Sequence, residues 1–177
     1  MSVLRTATAH PSDSRAQREV EAFVLDRCEE QHREWRRVAW KDAAAELGLS
    51  AVWQATKPDA VWRENTASGV QFIVAECYMR IGSLTAGHLR KMAMDVLKLL
   101  AMQRAVSEQF AIRPILIVPE ELSNRLRGRR WIIDALRMVE IVPIALLDEE
   151  RVKLNAATEL QAQGQARSGS GKRRGAE

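Results

Sequence analysis

The chain has 177 residues, 46% of them hydrophobic, which suits a single domain with a sizeable core; no run approaches the roughly 18 apolar residues of a membrane helix. Its formal charge of +4 is concentrated at the end, where Arg167, Lys172, Arg173 and Arg174 face one acid, Glu177, and leave a nearly neutral body. With two cysteines, Cys28 and Cys77, on separate predicted elements, neither a disulfide framework nor a zinc site is expected. The start of the chain has no apolar stretch of signal-peptide type, so the default reading is a reduced, cytoplasmic protein with no membrane partner.

Residues 1–13 are polar and unpatterned and are expected to fray. A helix is predicted from Ser14, an N-cap residue, through Val20, Phe23, Val24, Arg27 and Cys28. Helical character continues through residues 29–34 into 35–40, with room for a break between them. Lys41 to Leu47 is rich in alanine, and Gly48 is a suitable stop. Residues 49–54 read equally as a short strand or a connector.

Two short apolar segments follow, predicted as strands over 58–63 and 70–79, each carrying one carboxylate. Because strand side chains alternate, Asp59 shares a face with Val61, and Glu76 with Val74 and Tyr78. The polar run Arg63 to Gly69 suits a hairpin connection that would set Asp59 beside Glu76. Two carboxylates side by side on a core sheet repel each other and are costly to bury unless a hard divalent cation lies between them.

The next helix is predicted over 85–108, with Leu89, Met92, Ala93, Val96, Leu99, Leu100 and Gln103 at 3–4 spacing. Ile112 to Val118 forms a buried-type strand before Pro119. Residues 120–139 are helical with a break around Gly128, and Trp131 and Ile132 fall on the apolar face. A last strand over 141–147 is placed at a sheet edge by Pro143. A helix over 148–163 closes the domain of residues 14–163, and 164–177 reads as a disordered basic tail. The order predicts an α/β fold, a three-layer α/β/α sandwich around a central mixed sheet.

Helix, strand led by Pro58-Asp59, strand carrying Glu76-Cys77-Tyr78, then helix and strand–helix–strand: over residues 15–148 this order resembles the PD-(D/E)XK nuclease superfamily, the restriction-endonuclease-like fold. The segment from Glu76 to Lys98 is also similar to an uncharacterised bacterial group placed in that superfamily, in which no substrate is known. The resemblance implies a nuclease that cuts DNA, with Asp59 and Glu76 holding Mg²⁺ or Mn²⁺ and a lysine two residues after the second acid handling the attacking water. Here that position is Tyr78, a phenol with an ordinary pKa near 10 and a poor general base. Lys91, Arg80 and Lys57 are the candidate replacements, with Lys91 favoured. Catalytic residues are therefore expected to be Asp59, Glu76, Tyr78 and Lys91. The alternative is an inactive nuclease fold that binds nucleic acid or serves as an assembly module.

Arg125, Arg127, Arg129 and Arg130 form the densest basic cluster of the body and are candidate phosphate contacts. Lys91, Asp95 and Lys98 read as a solvated helix face with i,i+4 pairing, and His88 as a surface residue at the helix start. Glu19 and Glu21 read as surface acids, although the first helix supplies a metal contact in some members of the superfamily. Trp62 is the one tryptophan near enough to the acids to be weighed for base stacking, against a core role. Cys77 points away from Glu76 by alternation and reads as a small core residue. A homodimer would provide two sites for cutting two strands.

Overall fold

The computed structural model describes residues 15–106, 110–126, 134–136 and 138–170, with the side chains of 161–170 left undescribed. In chain order the elements are α1 (Arg15–Gln31), β1 (Arg36–Arg37), α2 (Trp40–Glu46), α3 (Ala51–Ala55), β2 (Ala60–Thr66), β3 (Gly69–Cys77), α4 (Ala86–Ala105), β4 (Ala111–Pro119), α5 (Glu120–Leu126), β5 (Glu140–Ile144) and α6 (Asp148–Ser170). The five strands make one mixed sheet in the order β1-β2-β3-β4-β5. β2 runs antiparallel to β1 and β3, whereas β3, β4 and β5 are parallel. The protein is therefore α/β. No helix among the described residues is long and apolar enough to cross a membrane.

The hairpin is tighter than its polar composition suggests. Pairing runs from Ala60↔Ala75 to Thr66↔Gly69, so residues 63–66 belong to β2 and only Ala67 and Ser68 form the turn. Thr66 Oγ1 donates to the Gly69 carbonyl at 2.9 Å and lies 3.0 Å from Ser68 Oγ, which closes so short a connection. Gly69 sits at φ +128°, a conformation that L side chains rarely adopt.

Alternation along β3 divides the core. Phe72, Val74 and Tyr78 face the side covered by α2, α4 and α5, where Leu89, Met92, Val96, Leu99 and Met102 of α4 pack. Ile73, Ala75 and Cys77 face Val20, Val24, Leu25 and Cys28 of α1 and Leu154 of α6. Burying one such aliphatic or aromatic side chain contributes about 1.5–3 kcal/mol, so the two apolar faces supply stability that offsets the cost of a buried charge on one of them. Trp62 is fully buried in the α1-side core, as the packing reading of that residue expects.

Several boundaries differ from the sequence reading. Residues 36–37 are not helical: Arg36 pairs with Arg63 and Arg37 with Trp62, because the exposed edge of β2 takes up the chain as it leaves α1. Residues 51–55 form a short helix rather than a strand. In α4 the deepest C-terminal position is Met102, while Gln103 points outward and its amide donates to the Ile112 carbonyl at 3.0 Å. Pro143 does lie on an edge strand, paired with Val118. Helix α6 continues past Gly164 to Ser170. Arg127, Arg129, Arg130 and Trp131 lie outside the described residues.

Candidate active site

Asp59 stands just before β2, and its hydrogen bonds bracket Glu76. Its amide donates to the Ala75 carbonyl at 3.1 Å, and its carboxylate Oδ2 accepts from the Cys77 amide at 2.8 Å. The hairpin thus brings the two predicted acids together, near the C-terminal end of β3. Glu76 has only 4% of its surface exposed, and its strand face is the one covered by α4. There it forms an ion pair with Lys98, whose ammonium also donates to the Lys57 carbonyl at 3.4 Å.

Burial, and next the neighbouring Asp59 charge, push the Glu76 carboxyl up to about 7; Lys98 opposes the rise and Asp95 adds to it. A carboxyl held this high takes up and releases a proton near neutral pH. Glu21 belongs to the same electrostatic neighbourhood. Burial raises its pKa first, a hydrogen bond from Gln17 at 2.9 Å opposes the rise, and Asp59 adds to it. The surface reading holds for Glu19, which pairs with Arg15 at 3.0 Å, but Glu21 is half-buried and feels the charge of Asp59.

Tyr78 is buried on the Glu76 face, and its amide donates to the Ile117 carbonyl at 2.9 Å. Burial raises the phenol above its ordinary pKa, against the pull of Arg80 and Lys91, so it stays protonated at neutral pH. The Lys91 ammonium lies 5.3 Å from the centre of the Tyr78 ring and 3.0 Å from Asp95 Oδ2. Burial would lower its pKa, but Asp95, then Asp59 and Glu76, more than reverse this, and the ammonium keeps its charge. The Lys91 side chain remains 61% exposed.

Compared with family models, with curated proteins and with solved structures, the chain has no match. The chemistry of the residues themselves has to carry the functional reading.

Sequence reasoning also placed Lys98 wrongly. Expected on a solvated face, it is 23% exposed and sits on Glu76, the position sought for Lys91. A signal was present: a glutamate on a buried central strand requires a cation from whatever packs on its face, and position 98 follows Lys91 by about two helical turns. The i,i+4 pairing read for this face exists, but it joins Lys91 to Asp95.

His88 caps its own helix: the Thr85 amide donates to His88 Nδ1 at 3.0 Å and the Thr85 hydroxyl accepts from the His88 amide at 3.4 Å. Burial and then Arg80 lower its pKa, which keeps Nδ1 free to accept. The Arg125 guanidinium is bound to the Gly82 carbonyl and so ties α5 to the loop between β3 and α4. Cys77 is buried in the opposite core, as alternation expects. Among the described residues no three of His, Cys, Asp and Glu converge as a cation cage. Beside Asp59 a groove of about 520 Å³ opens between segments 37–40 and 57–61.

Proposed function

We propose that this protein is a metal-dependent nuclease-like domain that hydrolyses phosphodiester bonds in DNA, with Asp59 and Glu76 at the reacting centre. The observation that carries the reading is a buried glutamate held against a second carboxylate, with a lysine in contact with it. Structural acids are arranged to avoid such repulsion, whereas sites that bind cations or move protons exploit it. The element order supports the restriction-endonuclease-like resemblance, with the acids reaching one place from β2 and β3. Apolar cores on both faces of the sheet are what a three-layer α/β/α sandwich requires.

The donor set fits Mg²⁺ or Mn²⁺. These hard cations take oxygen ligands, and magnesium is commonly held by one or two carboxylates, with waters and substrate phosphate completing the shell. A buried carboxyl whose proton affinity is raised by burial and by a second carboxylate beside it is the arrangement such a charge relieves. When bound, the ion would polarise a phosphoryl oxygen and lower the pKa of a bound water. Lys98 favours the ionised form of Glu76 and fills the place left by the missing Glu-x-Lys lysine better than Lys91 does. Lys91, charged and mostly exposed, is suited to holding a phosphate oxygen, and the protonated Tyr78 keeps a hydroxyl proton to donate.

The test is calorimetric titration with magnesium or manganese, with plasmid cleavage measured in parallel. The wild type is expected to bind the ion and cut, and Asp59→Ala/Glu76→Ala to do neither. Metal-dependent cleavage that persists in Glu76→Ala would overturn the assignment. One observation favours the second reading, an inactive binding or assembly module: Glu76 already has a cationic partner in Lys98. That reading expects DNA to be retained without magnesium, uncut, after both acids are removed.

A further inference from the structure

The groove beside Asp59 has an origin that bears on substrate. β1 pairs for two residues only, and after the Val38 amide donates to the Val61 carbonyl at 3.1 Å the chain turns away into α2. Traced back toward Asp59, β2 keeps β3 on one side but no longer has β1 on the other, and the groove lies between the diverging segments. Its volume, about 520 Å³, falls within the roughly 300–1,000 Å³ of small-ligand pockets, so it suits a nucleotide-sized group and not a duplex.

Its lining is mixed in a way that suits a nucleotide. Val38, Trp40 and Val61 give an apolar surface, and the Trp40 indole N–H is already committed to the Trp53 carbonyl at 3.1 Å. Lys57 is exposed, and its ammonium has no partner among the described residues. Arg37 gives one guanidinium nitrogen to Asp26 at 2.7 Å and keeps further donors. Asp59 stands at the end of the groove where it meets the acid pair.

We infer that this groove holds a single-stranded nucleic-acid segment, with Lys57 on a phosphate and the next linkage delivered to Asp59 and Glu76. The inference rests on the nuclease reading and narrows its substrate to single strands or frayed ends. Trp40 is buried, so it offers no open stacking platform, and binding is electrostatic and indifferent to sequence.

The experiment is fluorescence anisotropy of a labelled oligothymidylate, and of a labelled duplex, with the full chain in EDTA at low salt. Lys57→Glu is expected to weaken single-strand binding about tenfold, and Lys57→Gln to lower the log–log salt slope by about 0.7, the single-strand value for one phosphate contact. Ala39→Trp, which fills the groove without changing charge, is expected to weaken it as well. Lys41→Glu, an exposed control on α2 outside the groove, is expected to change little. Preference for duplex, equal weakening by Lys41→Glu, or no effect of Ala39→Trp in a folded variant would overturn the inference. Loss of strand binding with metal binding intact removes the groove and leaves the hydrolase; strand binding that persists without metal binding or cleavage does the reverse.

Discussion

Two glutamates are the buried charged residues of the described structure, Glu76 at 4% exposure and Glu150 at 5%, and they are served very differently. Glu150, in the first turn of α6, accepts from Arg27 at 2.9 Å and from the Leu147 amide at 2.8 Å, so its Oε2 has two donors. It fastens α1 to α6. Glu76 has Lys98 on one side, Asp59 bracketing it on the other, and a carboxyl pushed up to about 7. Burial alone marks neither as functional. What distinguishes them is charge: the fold leaves Asp59 beside Glu76 and gives Glu150 two donors.

Breaking the resolved pair should have the largest effect on stability. Arg27→Met leaves Glu150 buried without its cation and is expected to cost about 3–5 kcal/mol in denaturant unfolding. A cost below 1 kcal/mol would show that the Leu147 amide alone satisfies Glu150.

The conflicted site should respond in the opposite direction. The Glu76 carboxyl rises from its ordinary 4.5 to about 7, so between these values the folded protein binds more protons than the unfolded chain, and stability falls as pH rises. The full cost, about 3 kcal/mol, is present above pH 7 and absent below 4.5. Glu76→Gln is therefore expected to be more stable than wild type at pH 8, with the difference closing on acidification, as read by thermal unfolding across pH. A pH-independent difference would mean that Lys98 settles Glu76 as completely as Arg27 settles Glu150.

The smallest effect separates the two lysines of α4. Lys91 is 61% exposed and paired in i,i+4 fashion, so Lys91→Ala should cost about 0.5 kcal/mol or less in the same unfolding assay. A larger loss would place Lys91, and not Lys98, in the supporting structure of the acid pair.

Much of this was legible in the sequence because it depends on local periodicity. Alternation correctly set Glu76 with Val74 and Tyr78 and turned Cys77 away, and the 3–4 spacing of Leu89, Met92, Val96 and Leu99 identified the buried stripe of α4. The hairpin was legible from its turn residues, although its length was not: pairing through residues 63–66 depends on how far two strands zip, which polarity does not report. Lys98 and Glu21 were misplaced because both lie at boundaries between a buried stripe and solvent. At such positions a helical wheel assigns a face, and the element opposite decides what that face meets.

The sequence by itself determined that the chain alternates helices and strands, that two acids would meet through a hairpin, and that a phenol stands two residues after the second acid. Only the tertiary structure decided which cation answers Glu76, which acid on α1 feels Asp59, and that a groove opens where β1 leaves β2. The physical reason is range. Propensity and periodicity act over a few residues, whereas a buried charge is set by whatever packing brings within several ångströms, from any distance along the chain.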